Sequence, residues 1–386
     1  MSEINRYLTS IRSRLQQPES NVTAVVCVGN ESADLDSMIS SLGFAYLSSR
    51  FPDCSCSAIS EALYIPVVSI PRADVLLRPE CVHVLQPYLQ SLFTLDDLGL
   101  IPSNPYTVLL DHNRDNNIIN GRVVGILDHH VDEGLYLDVS LRRIEMVGSC
   151  VTLVVLQFLE RWKMQMDNEW SKELAKLMLA PLLVDTVNLE PKFGRATSLD
   201  QQAADFLFSI LLGSAPMEEK KLVAIDTYSD LQKARLKVDH LSTWDLLRKD
   251  YKQWDVEGVG ISSVSWDLTA WTLRDGCESV VTSIESYAFS RHLRLYLAMT
   301  ACEKDGVFQR ELVVFPIESE MDGVLERLEE KAELDLTSEG YEELNQAAQQ
   351  VMTGKTGRMK FYRQRNIKTS RKQLWPLVQS LIQSGI

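Results

Sequence analysis

Four short runs of apolar, largely β-branched residues punctuate the first 130 positions: VTAVVCV (22–28), ALYIPVVSI (62–70), YTVLLDHN (106–113) and RVVGILDHH (122–130). Each has the length and composition of a strand buried on both faces. Between and after them lie stretches with apolar residues at helical spacing: SMISSLGFAYLSSRF, PECVHVLQPYLQSL (broken at Pro87), SCVTLVVLQFLERWK and SKELAKLMLAPLLVDTVNL. Such alternation leaves few folds open. Parallel strands need crossover connections, and those crossovers are right-handed, so the expectation is an α/β unit with a mostly parallel, doubly wound sheet.

GRATSLDQQAADFLFSILLGSAP reads as the closing helix of this unit. The expected organisation is a first domain at 1–213, a charged link at 214–225 around MEEKK, and a second domain at 226–386. The second domain starts helical (TYSDLQKARLKV, then WDLLRKDYKQW) and continues with three strand-like runs, VGISSVSW, LYLAMTAC and RELVVFPI. It ends on RKQLWPLVQSLIQ, a helical pattern with an interruption at Pro376. That is a smaller, mixed α/β domain. A chain of 386 residues is long enough for two such cores without staples.

The net charge is −14, but residues 355–372 (KTGRMKFYRQRNIKTSRK) hold eight Lys or Arg and no acid, which leaves −22 on the rest. One concentrated basic stretch in an acidic chain points to a local anion site, not to a general nucleic-acid surface. Seven cysteines, with no Cys-x-x-Cys pair, read as free thiols in a reducing compartment. No apolar run reaches the roughly 18 residues of a membrane span. The first twenty residues lack the apolar stretch of a leader, and Glu3 argues against a transit peptide. These features suggest a cytoplasmic protein, working as a monomer, with no membrane and no specific nucleic acid among its partners.

Acidic residues stand where the apolar segments end: Asp34 and Asp36, Asp111, Asp128-His129-His130, and Asp185. Taken singly, an Asp after a strand is more often a helix cap than a ligand. In a parallel sheet, however, ligands bind outside the carboxyl ends of the strands. There these residues would gather about five carboxylates and two imidazoles in one crevice, and such a set cannot stay ionised without cations. The donors are hard carboxylate oxygens with one or two imidazoles and no thiolate. That suits Mg²⁺ or Mn²⁺ better than Zn²⁺. The carboxylates suffice for two ions sharing ligands, the usual device for in-line phosphoryl displacement.

In order and spacing, DLDS (34–37), LLDHN (109–113), ILDHH (126–130) and LLVDTVN (182–188) resemble the DHH phosphoesterase superfamily. LLRKDYKQW (246–254) and SRKQLWP (370–376) resemble the signature segments of its DHHA2-type second domain. The resemblance spans nearly the whole chain and implies an active site in the cleft between a DHH domain and a DHHA2-like domain. By motif position, Asp34 and Asp36 would each face one of two divalent cations, Mg²⁺ or Mn²⁺ with Co²⁺ as a further option. Asp111 and Asp185 would bridge both, and His129 would complete one coordination sphere. Asp128 would orient that histidine. His130 would touch the substrate phosphate and donate a proton to the leaving oxygen. Lys252, Ser370, Arg371 and Lys372 would hold phosphate oxygens.

One departure from the pattern narrows the substrate. Family II inorganic pyrophosphatases carry a histidine four residues before the first Asp, where this chain has Asn30. The exopolyphosphatases and the prune-type phosphodiesterases of the superfamily share the Asn, and the prune type tends to lose the second His of the third motif, which is intact here. The resemblance therefore implies an exopolyphosphatase acting on inorganic polyphosphate, with Asn30 at the substrate. An inorganic pyrophosphatase or a prune-type nucleotide phosphodiesterase is the alternative within enzymes, and an idle scaffold on the same fold is the alternative outside them. The remaining basic residues, Lys355, Arg358, Lys360, Arg363, Arg365 and Lys368, read either as a track for a long polyanion or as a solvated face. GKTG (354–357) lacks the first glycine of a P-loop, and VGSC (147–150) is no nucleophile elbow. His83, His112 and His240 read as structural or exposed.

Overall fold

In the computed structural model the described residues are 1–17, 22–54, 62–115, 117–304, 306–353 and 358–384. Cys56, Lys355 and the rest of GKTG lie outside them. Two units divide the chain, Met1–Arg235 and Leu236–Ile386.

The valine-rich run after Thr23 forms β1 (Ala24–Val28), buried at every position as the centre of a parallel sheet must be. It is joined by β2 (Leu63–Val68), β3 (Phe93–Thr94), β4 (Tyr106–Leu110), β5 (Arg122–Asp128) and β6 (Leu141–Ile144), in the order β3-β2-β1-β4-β5-β6. Every pairing in this sheet is parallel. The order reverses between β1 and β4, so their carboxyl ends open a crevice that no single crossover covers.

The helices of the unit are α1 (Glu3–Leu15), α2 (Leu35–Arg50), the short α3 (Arg72–Val75) and α4 (Pro79–Leu85), α5 (Cys150–Lys163), α6 (Glu169–Asp185), α7 (Ser198–Leu212) and α8 (Met217–Leu236). A single apolar core runs through the sheet, α2, α5, α6 and α7. The stretch read as a charged link is helical from Met217 onward, because MEEKK consists of good helix formers. Ala224 and Leu231 of this helix join the first core. Helix α6 stops at Asp185, short of the expected Leu189. Val187, Asn188 and Leu189 all take positive φ (52°, 59° and 58°).

The second unit holds β7 (Tyr251–Trp254), β8 (Val259–Val264), β9 (Leu295–Thr300), β10 (Cys302–Lys304), β11 (Val307–Pro316), β12 (Leu336–Thr337) and β13 (Lys360–Gln364). Their order is β12-β13-β11-β9-β8-β7, with β10 on β11. Only β8 and β9 pair in parallel. Its helices are α9 (Thr243–Lys249), α10 (Leu268–Asp275), α11 (Cys277–Ser290), α12 (Asp322–Glu329), α13 (Glu342–Val351) and α14 (Arg371–Gln383).

Two expectations are corrected in this unit. WDLLRKDYKQW is not one helix: α9 ends at Lys249, the chain turns at Asp250, and the aromatic-rich YKQW becomes β7. The pattern at the end is not interrupted at Pro376, which lies inside a continuous α14. A capping box between Ser370 and Gln373 and the stacking of Trp375 on Trp254 (4.0 Å between ring centroids) hold the turn that the proline weakens. Within the basic stretch, Lys360–Gln364 form strand β13 and Arg371 and Lys372 open α14. Among the described residues no helix is long and apolar enough to cross a membrane.

Candidate active site

The loop after β1 leads straight into α2, and Asp34 is that helix's N-cap, its Oδ1 accepting from Ser37 N at 3.0 Å. Two residues later Asp36 is buried in the first turn. Its oxygens meet the start of α5: Ser149 Oγ donates to Oδ1 at 2.7 Å, Val151 N to Oδ1 at 3.0 Å and Cys150 N to Oδ2 at 2.6 Å. A helix N-terminus is where backbone N–H groups lack partners and where negative charge is favoured, so the two motifs satisfy each other.

Asp111 ends β4 with φ +64°. Its Oδ2 accepts from Ser37 Oγ at 2.7 Å and from Asn30 Nδ2 at 2.8 Å. Asn30 thus crosses the switch point to hold a carboxylate that was expected to bridge two ions. The other oxygen, Oδ1, lies 3.0 Å from His129 Nε2 and 3.7 Å from His130 Nδ1. It is buried and accepts no well-formed hydrogen bond among the described residues.

The two histidines are fixed differently. His129 Nδ1 lies 2.9 Å from the Val147 carbonyl, which can only accept, so Nδ1 carries a proton and Nε2 faces Asp111 and, at 3.8 Å, Asp36. His130 Nδ1 lies 2.8 Å from Asp128 Oδ1. This corrects the expected role of Asp128: it orients His130, and the Val147 carbonyl orients His129. The reason is the turn after β5, where the same Asp128 oxygen also accepts the backbone N–H groups of His129 and His130. Asn113 Nδ2 bonds the second oxygen of Asp128. Burial opposes the charge of Asp128, but the bonds from His130 and Asn113 outweigh it and hold its carboxyl below the usual range.

Asp185 closes the site from the end of α6. A cavity of about 350 Å³ is lined by Asp34, Asp36, Asp111, His129, His130 and Asp185, with Val147, Gly148 and Arg195. All five residues expected to hold metal therefore meet in the first unit. Burial, and then the charge of Asp111, raise the pKa of Asp34 and carry that of Asp36 to about 7. Burial and the charges of Asp36, Asp34 and Asp111 push Asp185 to about 9. Burial disfavours charge on His129, yet its contact with Asp111 and the charges of Asp36 and Asp111 raise it to about 10. Such a set lacks positive charge. With the orphaned Asp111 Oδ1 and the donor atoms of Asp111, His129 and His130 all within 4.8 Å of one another, it fits hard divalent cations.

A second cavity, of about 400 Å³, shares Asp111 and His130 and adds Asn30, His112, Asn113 and Arg114. Lys252, Ser370, Arg371 and Lys372 belong to the second unit. There Lys252 sits on β7 between Asp250, which accepts from Arg371 Nη2 at 2.7 Å, and Trp254, which stacks on Trp375. Three of the six residues of the expected polyanion track are answered by acids: Arg358 pairs with Asp322 and Glu326, Lys360 with Glu329, and Arg365 with Glu339.

Sequence reasoning missed Asn113, the Val147 carbonyl, Arg195 and Asp200. Asp200 is fully buried in the capping box of α7 and also accepts Gly148 N (2.9 Å) and Thr152 Oγ1 (2.6 Å), so it fixes the loop that carries Val147 and Ser149.

Comparison with known proteins agrees with this picture. Residues 229–381 match the DHHA2 domain. A Schizosaccharomyces pombe protein named "Putative exopolyphosphatase" is 28% identical over 402 residues, covering 97% of each chain. The Mus musculus protein "Exopolyphosphatase PRUNE1" is 28% identical over 395 residues, covering 97% of this chain and 78% of its own. The Archaeoglobus fulgidus "Probable manganese-dependent inorganic pyrophosphatase" is 24% identical over 253 residues, covering 62% of this chain and 70% of its own.

Proposed function

From the premise that this chain belongs to the DHH phosphoesterase superfamily and carries a DHHA2 domain, we propose that it is a metal-dependent exopolyphosphatase, releasing terminal orthophosphate from inorganic polyphosphate. The observation that carries this reading is the single cavity in which Asp34, Asp36, Asp111, Asp185 and His129 converge. These five residues would hold two divalent cations, Mg²⁺ or Mn²⁺; a relative named as manganese-dependent supports the metal class. Bound cations supply Lewis acidity and lower the pKa of water near them.

The protein's own groups do the rest. The start of α5 holds Asp36 in place, and Ser37 and Asn30 hold Asp111, so the carboxylates are set before substrate arrives. His130 has its Nδ1 fixed on Asp128 and its side chain half exposed, which leaves Nε2 to protonate the leaving oxygen. The hydrogen bond that His130 donates to Asp128 raises the histidine's pKa, which favours its protonated form. Lys252, Ser370, Arg371 and Lys372 are assigned to phosphate oxygens. The protein works in the cytoplasm as a monomer; Cys54, Cys150, Cys277 and Cys302 are free thiols, which fits a reducing compartment.

Asn30 favours polyphosphate over pyrophosphate. Its amide is spent on Asp111 and on Ser32 N, where a pyrophosphatase of the superfamily would offer an imidazole. Orthophosphate release from long-chain polyphosphate, pyrophosphate and a cyclic nucleotide, compared side by side with Mn²⁺, tests the assignment. Stepwise shortening of the long chain supports it. Faster turnover of pyrophosphate or of the nucleotide replaces it with one of the alternatives.

A further inference from the structure

The loop between α6 and α7 places one basic residue at the acidic cavity. Among the described residues Arg195 is the only Lys or Arg that lines it. Its side chain is exposed and forms no ion pair among the described residues. Several other arginines of this unit are answered by acids, Arg12 and Arg72 by Asp97, Arg114 by Glu133, Arg142 by Asp132 and Arg143 by Glu145, while Arg78 donates to the Ser32 carbonyl.

Arg195 is not on a loose segment. Its carbonyl packs so tightly against Gly148 that a Cβ there would lie 2.8 Å from it. Two residues on, Thr197 N and Thr197 Oγ1 both donate to Asp200 at 2.7 Å, and the same Asp200 carboxylate accepts Gly148 N. One buried carboxylate therefore ties the backbone beside Arg195 to the loop whose Val147 orients His129 and whose Ser149 holds Asp36. The backbone that carries Arg195 is thereby fixed at the cavity rim, and its side chain lines the cavity.

Charge balance says what it is for. Four carboxylates face the cavity, and two divalent cations would neutralise them and no more. Among the described residues that line this cavity, a phosphoryl group entering with further negative charge then finds His130 and Arg195 as the basic groups not assigned to metal. A guanidinium with no acid of its own and a planar fork of donors suits phosphate oxygens. We infer that Arg195 is a substrate-binding residue, taking oxygens of the phosphoryl group seated in the acidic cavity. The inference rests on the proposed function and adds to it a phosphate-binding arm from the first unit.

The test is binding of methylenediphosphonate, whose P–C–P bridge is not hydrolysed, measured by calorimetry with saturating Mn²⁺ for the wild type, Arg195→Gln and Arg195→Lys, with Mn²⁺ affinity and melting temperature read in parallel. Arg195→Gln should weaken the analogue about ten- to a hundredfold and leave Mn²⁺ affinity within about twofold. Arg195→Lys should recover part of the loss, since it keeps the charge and loses the fork. In turnover of tripolyphosphate, KM should rise more than kcat falls. Unchanged binding in Arg195→Gln overturns the inference while polyphosphate hydrolysis by the wild type leaves the function standing. A parallel loss of Mn²⁺ affinity overturns it too, because the residue would then be structural. A wild type that binds the analogue but does not hydrolyse polyphosphate refutes the function, and the ratio between variants still decides Arg195. A wild type that binds no analogue refutes both.

Discussion

Asp128 Oδ1 lies 2.8 Å from His130 Nδ1, while the neighbouring His129 turns its own Nδ1 to a backbone carbonyl. Adjacent histidines of one motif are thereby given separate work. A carboxylate partner raises the proton affinity of His130, as a proton donor needs. A carbonyl partner fixes the tautomer of His129, as a ligand needs.

Asp128→Asn should accordingly lower kcat by about ten- to a hundredfold and change Mn²⁺ affinity little. The pKa of His130 is held up by the Asp128 bond, so its loss should move the alkaline limb of the pH–kcat profile to lower pH. Four donors converge on Asp128, and an amide NH₂ must face one of them, so a stability loss of about 1–3 kcal/mol should accompany the change. A pH–rate profile with a parallel Mn²⁺ titration checks this. Loss of Mn²⁺ affinity with an unmoved profile would return Asp128 to His129.

Without cations the acidic cavity should make the protein less stable as pH rises. Unfolded Asp ionises near pH ~3.9 and unfolded His near ~6.5. In the native state Asp36 keeps its proton to about 7, Asp185 to about 9 and His129 to about 10. The native state thus binds more protons than the unfolded state from about pH 4 to about 10, and its stability falls across that window. Melting temperature in EDTA should drop steadily from pH 5 to 9. Mn²⁺ should flatten the curve, and its binding at pH 6–7 should release protons. A flat profile in EDTA would mean that the carboxylates are not coupled as described.

Gly148→Ala probes the loop that supports both arms of the site. A Cβ there would come 2.5 Å from Thr186 Cγ2 and 2.8 Å from the Arg195 carbonyl, and the second of these is backbone. Overpacking of this kind costs about 1–3 kcal/mol. Because the loop carries Val147 and Ser149, Mn²⁺ affinity should fall together with melting temperature. A variant as stable and as metal-binding as the wild type would show that the loop yields without cost.

Much of the site was legible because strand ends in a parallel sheet share one edge. Asp34, Asp36, Asp111 and the Asp128-His129-His130 turn follow apolar runs, so reading the strands located the carboxylates. Asp185 also ends an apolar segment, but that segment is helix α6, so the strand-end argument does not by itself place it at the shared edge. The supporting residues carried no local signal. Asp200 looks like an ordinary capping-box acid, and its bond to Gly148 N spans 52 residues. The partners of the basic stretch likewise lie far off in sequence: Lys360 meets Glu329 across 31 positions, so the stretch looked free of acids when read along the chain. β7 was hidden because YKQW follows a helix without a Gly or Pro to mark the break. Pro376 was read as a stop, but packing of Trp375 against Trp254 overrides the local preference.

The central claim is that the acidic cavity holds the divalent cations that drive phosphoanhydride hydrolysis. The most direct measurement is orthophosphate release from long-chain polyphosphate by the wild type and Asp185→Asn, each with Mn²⁺ and then with excess EDTA. The account predicts rapid release by the wild type, abolished by EDTA, and a loss of at least about a hundredfold in Asp185→Asn. Near-normal turnover in Asp185→Asn, or wild-type release that survives EDTA, would contradict it.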